Sequence, residues 1–301
     1  MRVFVTGATG FVGSAIVPEL ITAGHRVVGL ARSDAAAAAV LSAGAVAFRG
    51  SLEDPDSLFS AAEGSDGVIH CAFIHDFSRM ESAGQTDLRA VETLGSALEG
   101  SDRPMVVTSG TALIAGRLAT EQDSSGAQSP ATHRVASEHA TLSLASRGVR
   151  SSVLRLPPTV HGRGDHGFVP SLIDIARRKG VSAYVGDGSN RWATVHRFDA
   201  ARLFRLALES APAGSVLHAV GEEGVATRDI AEMIGRHLGV PVVSVPTEEA
   251  TDHFGWLARF FTLDLPASSA RTRARFEWEP TQPGLLADLD MAHYFEQLQV
   301  A

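Results

Sequence analysis

The feature that most constrains the fold is a glycine-rich turn near the N-terminus. The apolar run Val3–Thr6 leads into Thr6-Gly7-Ala8-Thr9-Gly10-Phe11-Val12-Gly13, and an amphipathic stretch, Phe11–Ala23, follows it. Glycines three residues apart between a strand and a helix are typical of parallel α/β proteins that bind a dinucleotide. The backbone N–H groups of Phe11 and Val12 are then expected to face the phosphates at the helix N-terminus. The alternative is a glycine-rich turn without a ligand.

Short β-branched runs alternate with helical stretches in the first half of the chain, which predicts a parallel sheet covered by helices on both faces. The predicted strands are Val3–Thr6, Arg26–Leu30, Ala45–Phe48, Gly67–Cys71, Pro104–Thr108 and Arg150–Leu156. The clearest crossover helices are Phe11–Ala23, Asp76–Glu99 and Ala131–Arg147. The expected fold class is α/β: a Rossmann-type doubly wound parallel sheet with a small C-terminal substrate lobe.

The pattern becomes irregular after Leu156, where prolines and glycines mark a loop-rich excursion. A helix over Asp199–Leu208 and a strand over Ser215–Ala219 are expected to return to the sheet. The expected domains are a dinucleotide-binding domain over 1–160, to which 190–220 returns, and a substrate lobe over 161–189 and 221–301. Ligands of open parallel sheets bind at the carboxyl ends of the strands, so the loops at that edge should form the site.

Composition excludes several classes of function. The net charge of −8 argues against a nucleic-acid partner, which requires a basic face. The single cysteine, Cys71, excludes an internal disulfide and a cysteine-based zinc site, and the histidines show no metal-ligand spacing, so no metal is expected. No leader and no apolar run long enough to span a bilayer is found, which predicts a cytoplasmic protein without a membrane partner.

The residues after the second predicted strand distinguish two dinucleotides. NAD-specific sites place an acidic residue there, which binds the ribose diol. Here Ala31 occupies that position, and Arg32 and Ser33 follow; the Arg32 guanidinium can pair with a 2′-phosphate. Asp34 is interpreted as the cap of the next helix. The pattern favours NADP(H) over NAD(H), with a solvated arginine at a helix start as the alternative for Arg32.

Six segments carry a family resemblance: TGATGFVG at 6–13, Gly50–Asp54, Val68–Ala72, Val107–Thr111, Leu156–Gly162 and Val195–Asp199. In order and spacing they resemble the extended or atypical short-chain dehydrogenases/reductases, and the resemblance covers nearly the whole chain. It implies a nicotinamide-dependent oxidoreductase acting on a small carbonyl, alcohol or imine-like substrate. It also implies a homodimer, because the helices predicted at Asp76–Glu99 and Ala131–Arg147 correspond to those that pair subunits in many relatives.

The resemblance implies positions along the cofactor. Ser51, where the family usually has Asp, and Leu52 would lie beside the adenine. Cys71 and Ala72 would line the nicotinamide ribose, and the backbone from Pro158 to Val160 would hold the carboxamide. The full set of expected cofactor contacts is Gly7, Thr9, Gly10, Phe11, Val12, Arg32, Ser33, Ser51, Leu52, Cys71, Ala72, Ser109, Arg134, Pro157, Pro158 and Val160.

The acid–base pair of the family is missing. Its reductases use Tyr-x-x-x-Lys on the helix that corresponds to Ala131–Arg147. When Glu138 is aligned with the glutamate that usually follows that lysine, Pro130 takes the tyrosine position and Arg134 the lysine position. The tyrosines and the lysine of this chain lie elsewhere, at Tyr184, Tyr294 and Lys179. Arg134 can bind ribose hydroxyls and stabilise a developing oxyanion, but a permanently protonated guanidinium is a poor proton donor.

Another residue must therefore move the proton. Thr111 matches the family's hydroxyl that hydrogen-bonds the substrate oxygen, and histidine is the natural acid near neutral pH. His75, beside Asp76, is the preferred candidate, with an ordinary loop residue as an equally weighted alternative. The candidate catalytic residues are thus Thr111, Arg134 and His75. Substrate contacts are expected from Phe73, His75, His161, Trp192 and His196, although a structural role is favoured for His161 and His196.

The aromatic residues of the C-terminal part have two interpretations. Trp192, Trp256 and Trp278 are expected to pack the small lobe, and some of them to line an apolar substrate pocket.

Three functions are compatible with these residues. The leading hypothesis is an NADP(H)-dependent oxidoreductase with non-standard acid–base groups. The second is a non-catalytic NADP(H)-binding protein with a regulatory or redox-sensing role, which the missing pair motivates. The third is an epimerase or lyase that retains NAD(P), a chemistry that also depends on the absent tyrosine.

Overall fold

The predicted α/β class is confirmed by the computed structural model, which describes residues 1–75, 79–111, 115–124 and 132–296. The strands in these ranges are β1 (Arg2–Thr6), β2 (Arg26–Ala31), β3 (Val46–Arg49), β4 (Gly67–His70), β5 (Pro104–Gly110), β6 (Arg150–Leu156), β7 (Thr159–His161), β8 (Ser182–Val185), β9 (Arg191–His196), β10 (Ser215–His218), β11 (Glu222–Ala226) and β12 (Val242–Val245). The helices in the same ranges are α1 (Gly13–Thr22), α2 (Asp34–Ser42), α3 (Pro55–Glu63), α4 (Met80–Leu98), α5 (Thr132–Ser143), α6 (Phe168–Lys179), α7 (Arg197–Ser210), α8 (Thr227–Leu238), α9 (Ala250–Phe254), α10 (Ala258–Phe261), α11 (Ala270–Phe276) and α12 (Leu285–Leu289).

A seven-stranded parallel sheet forms the centre, in the order β10-β6-β5-β4-β1-β2-β3. The chain runs outward from β1 to β3 on one side and from β4 onward on the other. The strand order therefore reverses between β1 and β4, and a crevice is expected at such a switch point, outside the carboxyl ends of the strands. All six predicted strands belong to this sheet, and the predicted returning strand is β10, which pairs with β6.

Helix boundaries differ from the sequence predictions for local reasons. Helix α1 begins at Gly13, two residues later than predicted, because the glycine turn and the N-cap residue Val12 precede it. Helix α5 ends at Ser143, and a 3₁₀ turn over Leu144–Arg147 completes the predicted helix before Gly148 adopts a φ of +73°. For α4, the predicted start at Asp76 lies outside the described residues.

The prediction that Asp34 caps α2 is wrong. Ser33 has extended backbone angles and is the N-cap, with its Oγ accepting a hydrogen bond from the Ala36 N–H at 3.2 Å. Asp34 instead lies 3.2 Å from the guanidinium of Arg49, at the end of β3. A serine one residue earlier can cap the helix equally well, so sequence alone does not separate the two candidates.

A second core lies in the C-terminal part, around a three-stranded sheet of β11, β9 and β7 and a β12–β8 pair. Its buried members include Val169, Ile173, Trp192, Ile230 and Phe261. The expectation that Trp278 packs here is wrong. Its ring lies in the core beneath the large sheet, and its Nε1 donates to the carbonyl of Asp199 at 3.1 Å.

Within the described ranges, no helix is both long enough and apolar enough to cross a membrane. Helices α4 and α5 pack against each other. None of the described large apolar side chains that are exposed lies on either helix, so the homodimer remains a prediction.

Candidate active site

The glycine turn is required by the close approach of three backbone segments. Gly7 has a φ of +69°, and a Cβ there would lie 2.7 Å from the backbone nitrogen of Ala72. A Cβ on Gly13 would lie 1.9 Å from the carbonyl oxygen of Gly7, which accepts the N–H of Gly10 at 2.9 Å. In the described part of the chain no side chain caps α1, and the first turn of this helix holds no acidic residue. The helix N-terminus therefore presents free N–H groups and a positive dipole beside exposed Thr9 and Gly10.

Two arginines flank the end of β2, where an acidic residue would select NAD. Ala31 is buried, and Arg32 and Ser33 beside it are exposed. The parallel register pairs Ala31 with Arg49, which ends β3 at the same edge and whose guanidinium lies 3.2 Å from Asp34. Sequence reasoning missed Arg49, although an arginine ending the third strand of such a sheet was the available signal. The Ser33 Oγ accepts a hydrogen bond as the cap of α2, so the hydrogen of the same hydroxyl can still be donated to a ligand.

The residues predicted beside the adenine occupy the loop after β3. Ser51 accepts the backbone N–H of Glu53 through its Oγ at 3.2 Å. Leu52 is half-buried and packs against the core that lies beneath α3 and α4. They lie at the same edge of the sheet as Ala31, whose carbonyl accepts the N–H of Gly50.

A hydrogen-bonded chain joins β1 to β4 below the glycine turn. The Thr6 hydroxyl lies 2.8 Å from Nδ1 of the fully buried His70 and accepts the N–H of Ala72 at 3.2 Å. The thiol of Cys71 donates to the carbonyl of Thr6 at 2.9 Å, and burial raises its pKa to about 12. Cys71 is therefore an unreactive thiol that helps to fix the turn.

Arg134 is anchored by a buried carboxylate. Its Nη1 lies 3.3 Å from Oδ1 of Asp87 and 3.4 Å from the carbonyl of Thr108, and its guanidinium lies 3.7 Å above the ring of Phe73. The same Oδ1 accepts from Nε2 of His70 at 3.1 Å. Burial alone would raise the pKa of Asp87, but Arg134 and His70 outweigh it and hold that pKa below its usual range. The guanidinium is thus fixed at the carboxyl ends of β4 and β5.

Asp87 and His70 were missed by the sequence analysis. Asp87 lies on the buried face of α4 together with Ala83, Ala90 and Val91. A carboxylate on an otherwise apolar helix face was the available signal, because buried charges are almost always paired.

Two hydroxyls at the end of β5 lack partners. Ser109 and Thr111 are 5% and 3% exposed, and neither hydroxyl has a hydrogen-bond partner in the described part of the chain. The backbone N–H of Thr111 donates to the carbonyl of Leu156 at 2.8 Å, which brings the following Pro157–Val160 segment beside it. Buried hydroxyls are normally hydrogen-bonded, so this pair points to a polar ligand or water at the sheet edge.

His75 and Phe73 lie at the rim of this edge. Their rings make an edge-to-face contact at 5.2 Å, and His75 is exposed. Partial desolvation and the positive charge of Arg134 lower the pKa of His75, which keeps the imidazole neutral at neutral pH. Asp76 and Pro130, which the sequence analysis placed here, lie outside the described residues.

Three residues expected to touch substrate are buried in packing instead. The β7–β9 pairing sets His161 opposite His196, with their rings 5.3 Å apart. His161 is 1% exposed and its Nδ1 lies 2.8 Å from Asp288, while Nδ1 of His196 accepts the N–H of Phe198 and caps α7. Trp192 is fully buried in the C-terminal core. Because strand pairing turns these three side chains inward, almost none of their surface can contact a substrate.

The two tyrosines and the lysine make their contacts in the C-terminal part of the chain. The Tyr294 hydroxyl accepts the N–H of Gly162 at 3.0 Å and donates to Asp165, and burial raises its pKa. Tyr184 belongs to β8, and the guanidinium of Arg228 lies over its ring. Lys179, at the end of α6, donates to the backbone carbonyl of Asp252. No group of three or more potential metal ligands converges in the described ranges.

Comparisons with known proteins identify the family and the fold. The sequence profile of the NAD dependent epimerase/dehydratase family matches residues 3–219. An uncharacterised protein of Schizosaccharomyces pombe is 52% identical over 98% of this chain and 100% of its own length. The 2-alkyl-3-oxoalkanoate reductase of Stenotrophomonas maltophilia is 28% identical over 81% of this chain and 77% of its own. A double mutant of dTDP-glucose 4,6-dehydratase from Streptomyces venezuelae, solved with NAD, shares the fold at 20% identity and a TM-score of 0.79, covering 99% of this chain and 98% of that one.

Proposed function

The chain belongs to the NAD dependent epimerase/dehydratase family, and from that membership we propose that it is an NADP(H)-dependent oxidoreductase that interconverts a small carbonyl compound and its alcohol. The observation that carries this proposal is the pair of buried, unpartnered hydroxyls of Ser109 and Thr111. They lie at the carboxyl edge of the sheet that also carries the glycine turn and the anchored guanidinium of Arg134. Such a set can hold a cofactor and polarise a substrate oxygen.

The residues present fit a dinucleotide with a 2′-phosphate. The Phe11 and Val12 N–H groups would bind the pyrophosphate, because no protein side chain caps that helix. Arg32 and Arg49 would bind the 2′-phosphate, since Arg32 follows, and Arg49 is paired in register with, the position where NAD sites carry a carboxylate. The residue at that position is Ala31, whose side chain offers nothing to a ribose diol.

The substrate oxygen is assigned to Thr111 and Arg134. The Thr111 hydroxyl can donate to a carbonyl oxygen, because no described group competes for it. Arg134 stabilises negative charge that develops on the oxygen, and its anchoring to Asp87 means that little reorganisation is needed. When bound, the nicotinamide supplies or accepts the hydride.

The proton is assigned to His75. Its lowered pKa makes the imidazole a ready base for an alcohol at neutral pH, whereas in carbonyl reduction only the protonated fraction can act as the acid. Reduction should therefore slow as the pH rises, and alcohol oxidation should not. His75 acts from the rim, beside Phe73, rather than from the position that Pro130 occupies in the alignment.

A carbonyl substrate is supported by the reductase among the relatives, whose name records activity on 2-alkyl-3-oxoalkanoates. The exposed indole of Trp256, which contacts the ring of Phe168, offers an apolar surface outside the lobe core. A substrate with an apolar part is the class that we expect to bind. The epimerase and lyase alternatives lose support, because the described residues supply no tyrosine to the site.

Cofactor titration tests the proposal. NADPH and NADH are titrated against wild type, Arg32→Ala, Arg49→Ala and the control Arg178→Ala, an exposed residue of α6, with nicotinamide fluorescence as the readout. NADPH should bind wild type more tightly than NADH does. Arg32→Ala and Arg49→Ala should each raise the Kd for NADPH about tenfold or more and leave the Kd for NADH unchanged. If wild type binds NADPH no more tightly than NADH, or if neither Arg32→Ala nor Arg49→Ala weakens NADPH binding, the NADP assignment is wrong.

Turnover is then measured on a panel of ketones, aldehydes and cyclic imines. Oxidation of NADPH with any of them supports an oxidoreductase. Tight NADPH binding without turnover across the panel would contradict it and favour the non-catalytic, redox-sensing alternative.

A further inference from the structure

Arg197, the first residue of α7, reaches across to the start of α1. Its Nη2 donates to the Ser14 Oγ at 2.9 Å, and its guanidinium lies 4.7 Å from the centre of the Phe11 ring. Its Nη1 donates to the carbonyl of Arg163 at 3.0 Å. Three contacts thus hold a permanent positive charge beside the glycine turn.

This charge has no counter-ion in the described part of the chain. Arg197 forms no ion pair there, and its Nε is buried without a hydrogen-bond partner. The nearest first-turn acid of α7, Asp199, accepts the N–H groups of Thr281 and Gln282 and pairs with Arg202 instead. Partial burial accordingly lowers the pKa of Arg197, although it stays charged.

The position is also unfavourable for a cation. Arg197 begins α7 and contacts the first turn of α1, and the N-terminus of every helix carries partial positive charge. An anion bound at the start of α1 would offset the charge of both helix ends and of the guanidinium at once.

The loop that follows β7 is shaped around the same side chain. Gly162 has a φ of +134°, and a Cβ there would lie 3.0 Å from Cγ of Arg197. A Cβ at Gly164 would lie 3.7 Å from its Nη1. Glycine at position 162 therefore leaves space for the extended arginine, whereas a Cβ at 164 would make only an ordinary contact with it.

We propose that Arg197 is a ligand of the cofactor pyrophosphate. Its guanidinium clamps the pyrophosphate from the α7 side, and the N–H groups at the start of α1 bind the same group from the α1 side. The proposal rests on the proposed function, because it requires a dinucleotide at the glycine turn. It assigns two different cationic sites to the two phosphate groups: Arg197 to the pyrophosphate, and Arg32 with Arg49 to the 2′-phosphate.

The test uses Arg197→Gln, which keeps a donor for Ser14 but removes the charge, with Arg197→Lys as the charge-retaining variant and Arg178→Gln as the control. Each protein is titrated with NADPH and with adenosine 2′-monophosphate, which lacks the pyrophosphate. Arg197→Gln should raise the Kd for NADPH about tenfold or more and leave the Kd for adenosine 2′-monophosphate unchanged. The Kd of Arg197→Lys for NADPH should lie between the values for Arg197→Gln and wild type.

Thermal unfolding without cofactor provides a second readout. Arg197→Gln should unfold at a temperature no lower than that of wild type, since it removes an unpaired cation from two helix N-termini. Saturating NADPH should then raise the unfolding temperature of the variant less than that of wild type.

The outcomes separate the two proposals. If wild type binds neither ligand, the proposed function is wrong and the clamp with it. If wild type binds NADPH and Arg197→Gln binds it equally well, only the clamp is wrong. Equal weakening of both ligands by Arg197→Gln would also overturn the clamp, because it would indicate general damage to the site. If Arg197→Gln does not fold, Arg197→Met, which also removes the charge, decides on the same two ligands, with an NADPH-selective loss supporting the clamp and equal affinities overturning it.

Discussion

Arg134 and Asp87 form a buried ion pair across 3.3 Å, with only 12% and 1% of their side chains exposed. The pair joins α5 to α4, and the His70 hydrogen bond extends it to β4. Arg134, which the sequence analysis aligned with the family's lysine, is therefore not a free cation, and its location depends on a carboxylate on another helix.

Asp87→Asn should destabilise the protein strongly. It leaves the Arg134 guanidinium buried without its counter-charge, and removing one member of a buried pair costs about 3–5 kcal/mol. The free energy of unfolding is measured by urea denaturation. Glu99→Gln, which breaks the exposed pair with Arg147, is the control and should leave the midpoint close to that of wild type. Similar midpoints for the two variants would mean that the buried pair does not hold Arg134.

Gly13→Ala should damage the glycine turn. The added Cβ would lie 1.9 Å from the carbonyl oxygen of Gly7, so the turn and α1 must separate. We expect a loss of about 1–3 kcal/mol in stability, by analogy with overpacked cores, together with loss of measurable NADPH binding. Gly64→Ala is the matched control, because its Cβ would meet its nearest atom at 3.5 Å and its φ is −78°. The idea fails if both variants bind NADPH as wild type does.

Local patterns made the fold predictable. The glycine turn and the strands of the large sheet are encoded in short contiguous segments. Because these strands are parallel, the residue at the carboxyl end of each one could be assigned to the same edge of the sheet. Arg32 was singled out because it follows a predicted strand, and Thr111 because of the family resemblance; the roles of both stay predictions.

Contacts between distant segments were not predictable. His70 and Asp87 are seventeen residues apart on different elements, and Arg49 faces Ala31 only through the β2–β3 register. His161 was also ambiguous, because a loop histidine and a buried one have the same sequence context until the β7–β9 pairing is known. Strand pairing and burial, rather than local propensity, decide these cases.

Thr111→Val should separate catalysis from stability. The Thr111 hydroxyl is buried and has no partner among the described residues, so its replacement by a methyl group removes no hydrogen bond seen there and should leave the free energy of unfolding unchanged or higher. If that hydroxyl holds the substrate oxygen, kcat should fall by about tenfold to a hundredfold. Steady-state kinetics on a turned-over carbonyl compound measures this.

Thr141→Val is the opposite control. Its hydroxyl is buried and donates to the carbonyl of Ser137 at 2.7 Å, away from the sheet edge. It should lose about 1 kcal/mol of stability and keep kcat. A Thr111→Val variant with wild-type kcat would remove Thr111 from the proposed site.

Acid should destabilise the protein through His218. This fully buried imidazole lies with Nδ1 2.8 Å from the carbonyl of Ser268, which only accepts, so Nδ1 carries the hydrogen and Nε2 accepts from Arg155 at 3.3 Å. A second proton would face the Arg155 guanidinium. Burial, with the charge of Arg155, therefore lowers the pKa of His218 from 6.5 to about 4.

The direction of this pH dependence follows from proton uptake by the unfolded chain. Between pH 6.5 and about 4 the unfolded chain binds a proton at His218 that the folded protein excludes, so the free energy of unfolding falls as the pH is lowered through that window. The contribution is at most about 3–4 kcal/mol, since each pKa unit corresponds to about 1.4 kcal/mol. Urea denaturation at several pH values should show a shallower acid dependence for His218→Asn, whose amide can still donate to Ser268. Equal slopes for the two proteins would contradict a neutral His218, whatever the absolute stability of the variant.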